Sequence, residues 1–262
     1  MTRMIMAAVL AFALWASAHA DVTMKQTSTG KGLGMSGTTT STTYIKGLKM
    51  RVDGELGKKS STTIFDVENQ KMYVLDAKKK EAEAWNMAAI SQELSQAVSV
   101  DGMKASVKPN GQKKAIAGHD TDGYDMEIVV PATVGGAGGM QVTIQLTGVT
   151  WMAKGAPGSA EYAAFYSGAA EKGWIFSDPR AAKGSPGQAK AMAQMHAEFA
   201  KIGGVPYESN WDIKPQAEGM MGSLMSKMGG LSMNSITDSV ETGSVADDLF
   251  QVPADYKLIE KQ

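Results

Sequence analysis

Polar and apolar positions alternate along most of this chain, and in three places the alternation gives way to a helical period. Thr38 to Val52 (TTTSTTYIKGLKMRV) is rich in β-branched residues, with Ile45 and Met50 flanked by polar neighbours, and reads as strand. Gly47 interrupts it and predicts a bulge or bend. Gly54 to Lys59 is a turn, and Thr62 to Val67 (TTIFDV) is the next strand. Glu68-Asn69-Gln70 turns, Lys71 to Leu75 (KMYVL) returns, Asp76 to Lys80 turns again, and Glu81 to Trp85 leaves. Hairpins at this regular spacing predict an antiparallel meander. Lys78-Lys79-Lys80 fits a solvated hairpin tip that discourages edge-to-edge pairing. Further on, Lys113 to Gly118 and Tyr124 to Val130 are strands flanking an expected turn at His119 to Gly123 (HDTDG). Met140 to Met152 alternates cleanly, with Val142, Ile144 and Leu146 on one face and Gln141, Thr143, Gln145 and Thr147 on the other, so one face of the sheet is wet. Val205 to Ile213 is extended, and Ser235 to Thr242 and Phe250 to Ile259 read as two last strands.

The helical segments are short and amphipathic. Met87, Ile90, Leu94 and Val98 within Asn86 to Val98 recur at helical spacing and predict a helix lying on the sheet. Residues 154–204 form a distinct helical segment. Pro157-Gly158-Ser159 opens a helix to about Lys172, with Tyr162, Phe165, Tyr166 and Ala169 on one stripe. Asp178-Pro179 ends it, and Pro186 opens a second helix over Gln188 to Ile202, with Met192, Met195, Phe199 and Ile202 on one face and Gly203-Gly204 at its end.

The first twenty residues read as an export signal rather than as fold. Arg3 supplies the positive start, Met4 to Trp15 is an apolar run too short to span a bilayer comfortably, and Ala18-His19-Ala20 is a small-x-small cleavage site before Asp21. Cleavage after Ala20 leaves 21–262 as a single domain in a bacterial periplasm or outside the cell. The chain has no cysteine, which excludes a lipid-anchored product and disulfide stapling. No later stretch is long and apolar enough for a membrane helix. The formal net charge of −1 argues against a nucleic-acid partner.

Gly219 to Met233 (GMMGSLMSKMGGLSM), within a methionine-rich segment 217–233, holds five methionines in fifteen positions. If helical, Met221, Leu224, Met225 and Met228 share one side, but four glycines make it a weak helix, each interior one costing about 1 kcal/mol relative to alanine. Three readings stay open: a piece of core, the lining of an apolar groove, or thioether ligation of Cu(I). The stretch contains no His or Cys, which counts against copper. His119 to Gly123 resembles part of a calcium loop, but with Gly123 as the loop glycine the end positions fall on Gly118 and Val129, which fails the pattern. His196, one helical turn from Met192, reads as a structural histidine. There is no G-x-S-x-G elbow, no complete phosphate loop at Gly54 to Lys59, no H-E-x-x-H and no C-x-x-C. No catalytic residue, cofactor or metal centre is assigned.

Several segments carry a resemblance. Tyr44-Ile45-Lys46-Gly47-Leu48-Lys49-Met50-Arg51, Ile64-Phe65-Asp66, Lys71-Met72-Tyr73-Val74-Leu75-Asp76, Lys114 to Gly118, Gly148-Val149-Thr150-Trp151 and Phe250 to Tyr256 are together similar to an uncharacterised family of exported bacterial proteins, a domain of unknown function. That family resembles, more distantly, the bacterial lipoprotein-localisation carriers, open half-barrels whose apolar concave face is covered by helices and carries acyl chains. The resemblance implies a fold and a carrier role, without assigning functional residues. Pattern and resemblance together lead to an α+β fold: a curved antiparallel sheet of about seven to nine strands, an open half-barrel, with helices over its concave face. The expected function is non-enzymatic binding of an apolar ligand such as a lipid or acyl chain. The candidate lining residues are Trp151, Tyr162, Phe165, Met192, Met195, Phe199, Met221, Leu224, Met225 and Met228. The alternatives are a methionine-based copper-handling protein and a structural or partner-binding envelope protein.

Overall fold

The computed structural model describes residues 20–32, 35–97, 103–134, 140–216 and 230–261. Among these residues twelve strands form one open sheet: β1 (Asp21–Gly32), β2 (Met35–Lys46), β3 (Lys49–Leu56), β4 (Lys59–Asp66), β5 (Lys71–Asp76), β6 (Glu81–Asn86), β7 (Lys104–Ile116), β8 (His119–Val134), β9 (Met140–Ala153), β10 (Val205–Gln216), β11 (Leu231–Gly243) and β12 (Lys257–Lys261). Their spatial order is β12-β6-β5-β4-β3-β2-β1-β11-β10-β9-β8-β7. Every described pairing is antiparallel except that of β12 with β6. Among the described residues four α-helices accompany the sheet: α1 (Met87–Ala97), α2 (Ser159–Glu171), α3 (Pro179–Gly184) and α4 (Pro186–Ile202).

The strand count exceeds the seven to nine expected, for identifiable reasons. Gly47 is not a bulge in one long strand; with φ of 55° it sits in the tight turn that splits β2 from β3. The turn expected at His119 to Gly123 lies two residues earlier. Ala117 (φ 50°) and Gly118 (φ 82°) both adopt positive φ, as a two-residue type I′ hairpin requires, and HDTDG is the start of β8. Strand β1 carries little signal in sequence, because only Val22 and Met24 are buried in it and its later half is Thr, Ser, Lys and Gly. The last strand is also shorter than expected, since a 3-10 turn at Asp247–Phe250 precedes β12.

The helix boundaries follow local chemistry. The Asn86 side chain accepts hydrogen bonds from the Ala88 and Ala89 N–H groups at 3.1 and 3.2 Å and so starts α1. Asp178 caps α3 by accepting from the Arg180 N–H at 2.9 Å, with Pro179 in the first helical position. Gly203 (φ 73°) and Gly204 (φ 90°) end α4 and turn the chain into β10.

The other side of the sheet carries a strap. Between β11 and β12 the chain crosses the backs of β1 to β6. Asp21 Oδ2 accepts from the Val245 N–H at 2.8 Å, Lys46 Nζ donates to the Val245 carbonyl at 2.9 Å, and Arg51 donates to the Leu249 carbonyl at 3.1 Å. Val252 and Tyr256 then pack on Ile64, Leu75 and Ala82, which point away from the helices. Both sheet edges are charged: β12 reads KLIEK, and β7 carries four lysines, a proline and a register shift between Pro109 and Lys113, devices that discourage further strand pairing.

Candidate apolar ligand site

The half of the sheet formed by β1 to β6 is closed. Val22, Ile45, Met50, Phe65, Met72 and Trp85 are register partners across six adjacent strands, and none is more than 6% exposed. Phe165 and Ala169 of α2, with Trp174 and Ile175 beyond it, lie on this row in one continuous cluster. The space between α2 and α4 is filled with rings. Tyr162 and Tyr166 are 4.6 Å apart between centroids, Tyr166 and Phe176 are 5.0 Å apart, and His196 stacks on Tyr166 at 5.3 Å and meets Phe176 edge-on at 4.7 Å. Burial pushes the Tyr162 hydroxyl well above its ordinary pKa and raises that of Tyr166. Burial also lowers His196 to about 4, so its ring is neutral in the folded protein at neutral pH.

The half formed by β7 to β11 is different. Ala191 and Met195 of α4 are fully buried on Met126, Ile128, Val130 and Leu146. Around that contact lie apolar side chains that are only partly covered: Met103 just before β7, Val107 and Ile144 from β7 and β9, Met192 and Phe199 from α4, and Trp211 and Ile213 from β10. Register shows where the cover stops. One row runs Ile128, Leu146, Ile213, Leu231; the first two are 0% and 5% exposed, and the last two are half-buried. The adjacent row runs Met126, Gly148, Trp211, Met233, from 2% exposed at Met126 to 40% at Met233. The apolar inner face therefore continues about two strands beyond the helix that covers it.

This strip is apolar on one side only. On the opposite face of the same strands, Asn234 donates to Asn210 at 2.6 Å, Asn210 to Glu208 at 3.0 Å, and Ser232 to Asp212 at 2.6 Å. Lys114 pairs with Glu208 at 2.7 Å, and its ammonium lowers the Glu208 pKa. Alternation along β9 puts Trp151 on this polar side, opposite to Leu146, with Lys114 Nζ 4.2 Å from its ring centroid.

The structure thus sorts the residues expected to line one groove. Tyr162 and Phe165 belong to the closed half, and Trp151 lies on the other face of the sheet. Met192, Met195 and Phe199 gather under and beside α4 in the partly open half. Met221, Leu224, Met225 and Met228 lie outside the described residues. Sequence reasoning missed Trp211, Ile213, Leu231 and Met233. The signal was present as an every-second-residue pattern at the end of β10 and the start of β11, and a polar residue between each pair obscured it. Among the described residues no group of three or more His, Cys, Asp or Glu side chains could hold a metal ion. No described helix is long and apolar enough to cross a membrane.

No family model matches the chain, and no curated protein matches it. Solved structures with a similar arrangement include an uncharacterised conserved protein from Thermus thermophilus, at 7% identity and a TM-score of 0.40 over 94% of this chain and 93% of that one. They also include an outer membrane lipoprotein-sorting protein domain from Vibrio parahaemolyticus, at 8% identity and a TM-score of 0.29 over 89% and 90% of the two chains. A DUF1329 family protein from Desulfovibrio piger ATCC 29098 is similar at 8% identity and a TM-score of 0.30 over 90% and 91%. The last two are the kinds of protein that the sequence resemblance names. All three TM-scores are low, and the functional reading rests on the chain's own residues.

Proposed function

We propose that this is a non-enzymatic binding or carrier protein for an apolar ligand such as an acyl chain or lipid, working in the periplasm or outside the cell after cleavage behind Ala20. The ligand lies on the inner face of β10 and β11, beside Met192 and Phe199 of α4. The observation that carries this reading is the run of register partners from buried Ile128 and Leu146 to half-exposed Ile213, Leu231 and Met233. Apolar surface left open on one face of an otherwise polar pair of strands is characteristic of an interaction site. Each methylene of a ligand removed from water there contributes about 0.8 kcal/mol before ordering costs. With few polar groups on the strip, selectivity among chain lengths should be loose.

The test is titration of the processed protein with a fluorescent fatty acid, alongside mass spectrometry of an organic extract of protein purified from its native source. Saturable binding that is lost in Ile213→Lys, with the fold intact by circular dichroism, supports the proposal. An empty extract together with non-saturable binding removes it.

A further inference from the structure

A second site, on the far side of α4 from the apolar strip, follows from how three helices meet. On α1, Ser91, Leu94 and Ser95 share one stripe; on α4, Lys190, Ala193, Gln194 and Ala197 share another. Most of these side chains are short, so the two helices do not close on each other. The end of α2 supplies the floor, where Gly173 (φ 64°) turns the chain and Trp174 and Ile175 follow. The result is an open-mouthed cleft of about 230 Å³.

The chemistry of the cleft is two-sided. Leu94, Trp174 and Ile175 are buried and give it an apolar floor. Its polar rim includes Lys190, Gln194 and Ser95. Nearby lysines are engaged, Lys183 with Glu93 at 2.9 Å and Lys201 with Glu198 at 2.7 Å, whereas Lys190 has no ion-pair partner among the described residues. The indole nitrogen of Trp174 is itself buried, and, like that of Trp85, it has no hydrogen-bond partner among the described residues, so Trp174 contributes apolar ring surface to the floor and no donor to the cleft.

We propose that this cleft binds a small monocarboxylate with a compact apolar body, such as an aryl-acetate. The carboxylate sits on Lys190 with Gln194 or Ser95 beside it, and the apolar body rests on Leu94, Trp174 and Ile175. The size agrees, since an apolar cavity of about 150 Å³ holds benzene, and a ring with a short acidic tail needs somewhat more. Its lining shares no residue with the apolar strip on β10 and β11, so the two sites can be tested separately.

The experiment is calorimetric titration of the protein with phenylacetate, with benzyl alcohol and inorganic phosphate as comparison probes. The expected result is saturable phenylacetate binding that Lys190→Gln weakens by about tenfold, through loss of a charge-assisted contact. Ala197→Leu, which fills the cleft, abolishes it, and Ile213→Lys leaves it unchanged. Benzyl alcohol binds more weakly than phenylacetate, and phosphate does not compete. Absence of saturable phenylacetate binding overturns the proposal. So does equal competition by phosphate, or binding that survives both Lys190→Gln and Ala197→Leu.

Discussion

The two halves of one sheet solve the same problem differently. Across β1 to β6, six register partners in a row are buried and α2 lies over them with aromatic side chains. Across β7 to β11, α4 seats Ala191 and Met195 on the sheet, and exposure rises strand by strand toward Met233. Strand alternation is the same in both halves. What differs is how far the helix layer reaches, so the contrast separates surface that holds the fold together from surface available to a partner.

Substitutions in the closed half should act on stability. Phe165→Ala removes a fully buried ring from the cluster beneath α2. It should cost about 3–5 kcal/mol in denaturant unfolding, with little change in fatty-acid affinity among molecules still folded. If affinity fell in proportion to stability, the two halves would not be functionally separate.

Gly148→Ala tests the seam under the open half. A Cβ there would stand 1.9 Å from the Asn210 carbonyl oxygen, so β9 and β10 would have to move apart. The expected cost is about 1–3 kcal/mol by thermal unfolding, as for other overpacked sites. Since the pairing of β9 with β10 positions Trp211 and Ile213, ligand binding should weaken as well.

Acid should loosen the boundary between the halves. His196 titrates near 6.5 in an unfolded chain and at about 4 when packed against Tyr166 and Phe176. Between those values the unfolded state holds more protons, so this contribution to stability is fully present above pH 6.5 and lost as pH falls toward 4. Its size should be roughly 2 kcal/mol after allowance for solvent at the ring edge. His196→Phe should flatten that part of the stability–pH curve, as followed by urea unfolding at several pH values.

The smallest effect on stability is expected at Met233. It is 40% exposed, and Met233→Lys should change stability by less than about 0.5 kcal/mol. The same change should reduce fatty-acid binding measurably by fluorescence titration, because it places a charge on the apolar strip. Unaltered binding would move the ligand away from β11.

What could be read in advance tracks how local each signal was. The helices α1, α2 and α4 were legible within a residue or two, because their stripes and caps sit next to each other in sequence. The hairpin turns were harder, since Ala117 gives no sign in sequence that it will adopt positive φ. Grouping the site residues failed for a different reason. Tyr162, Phe165, Met192 and Met195 all belong to helical stripes, but nothing in the sequence says which part of the sheet each stripe meets. Trp151 was legible: unbroken alternation from Val142, Ile144 and Leu146 already puts position 151 on the polar face, and grouping it with the groove went against that pattern. Trp211 and Met233 are apolar residues among polar ones, and only their register brings them beside Met126.

The position of β11 has a consequence for how the protein assembles. It is the next-to-last strand in the chain, yet it pairs with β1 on one side and β10 on the other, joining residues as far apart as Asp21 and Gly243. Until it is in place, the meander of β1 to β6 and the ribbon of β7 to β10 each keep an unpaired margin, and such distant closure is slow to find. The strand acts as a keystone: an emerging chain would hold two unfinished sheets until nearly its last residues arrived, and a chaperone would find its target at the facing margins of β1 and β10.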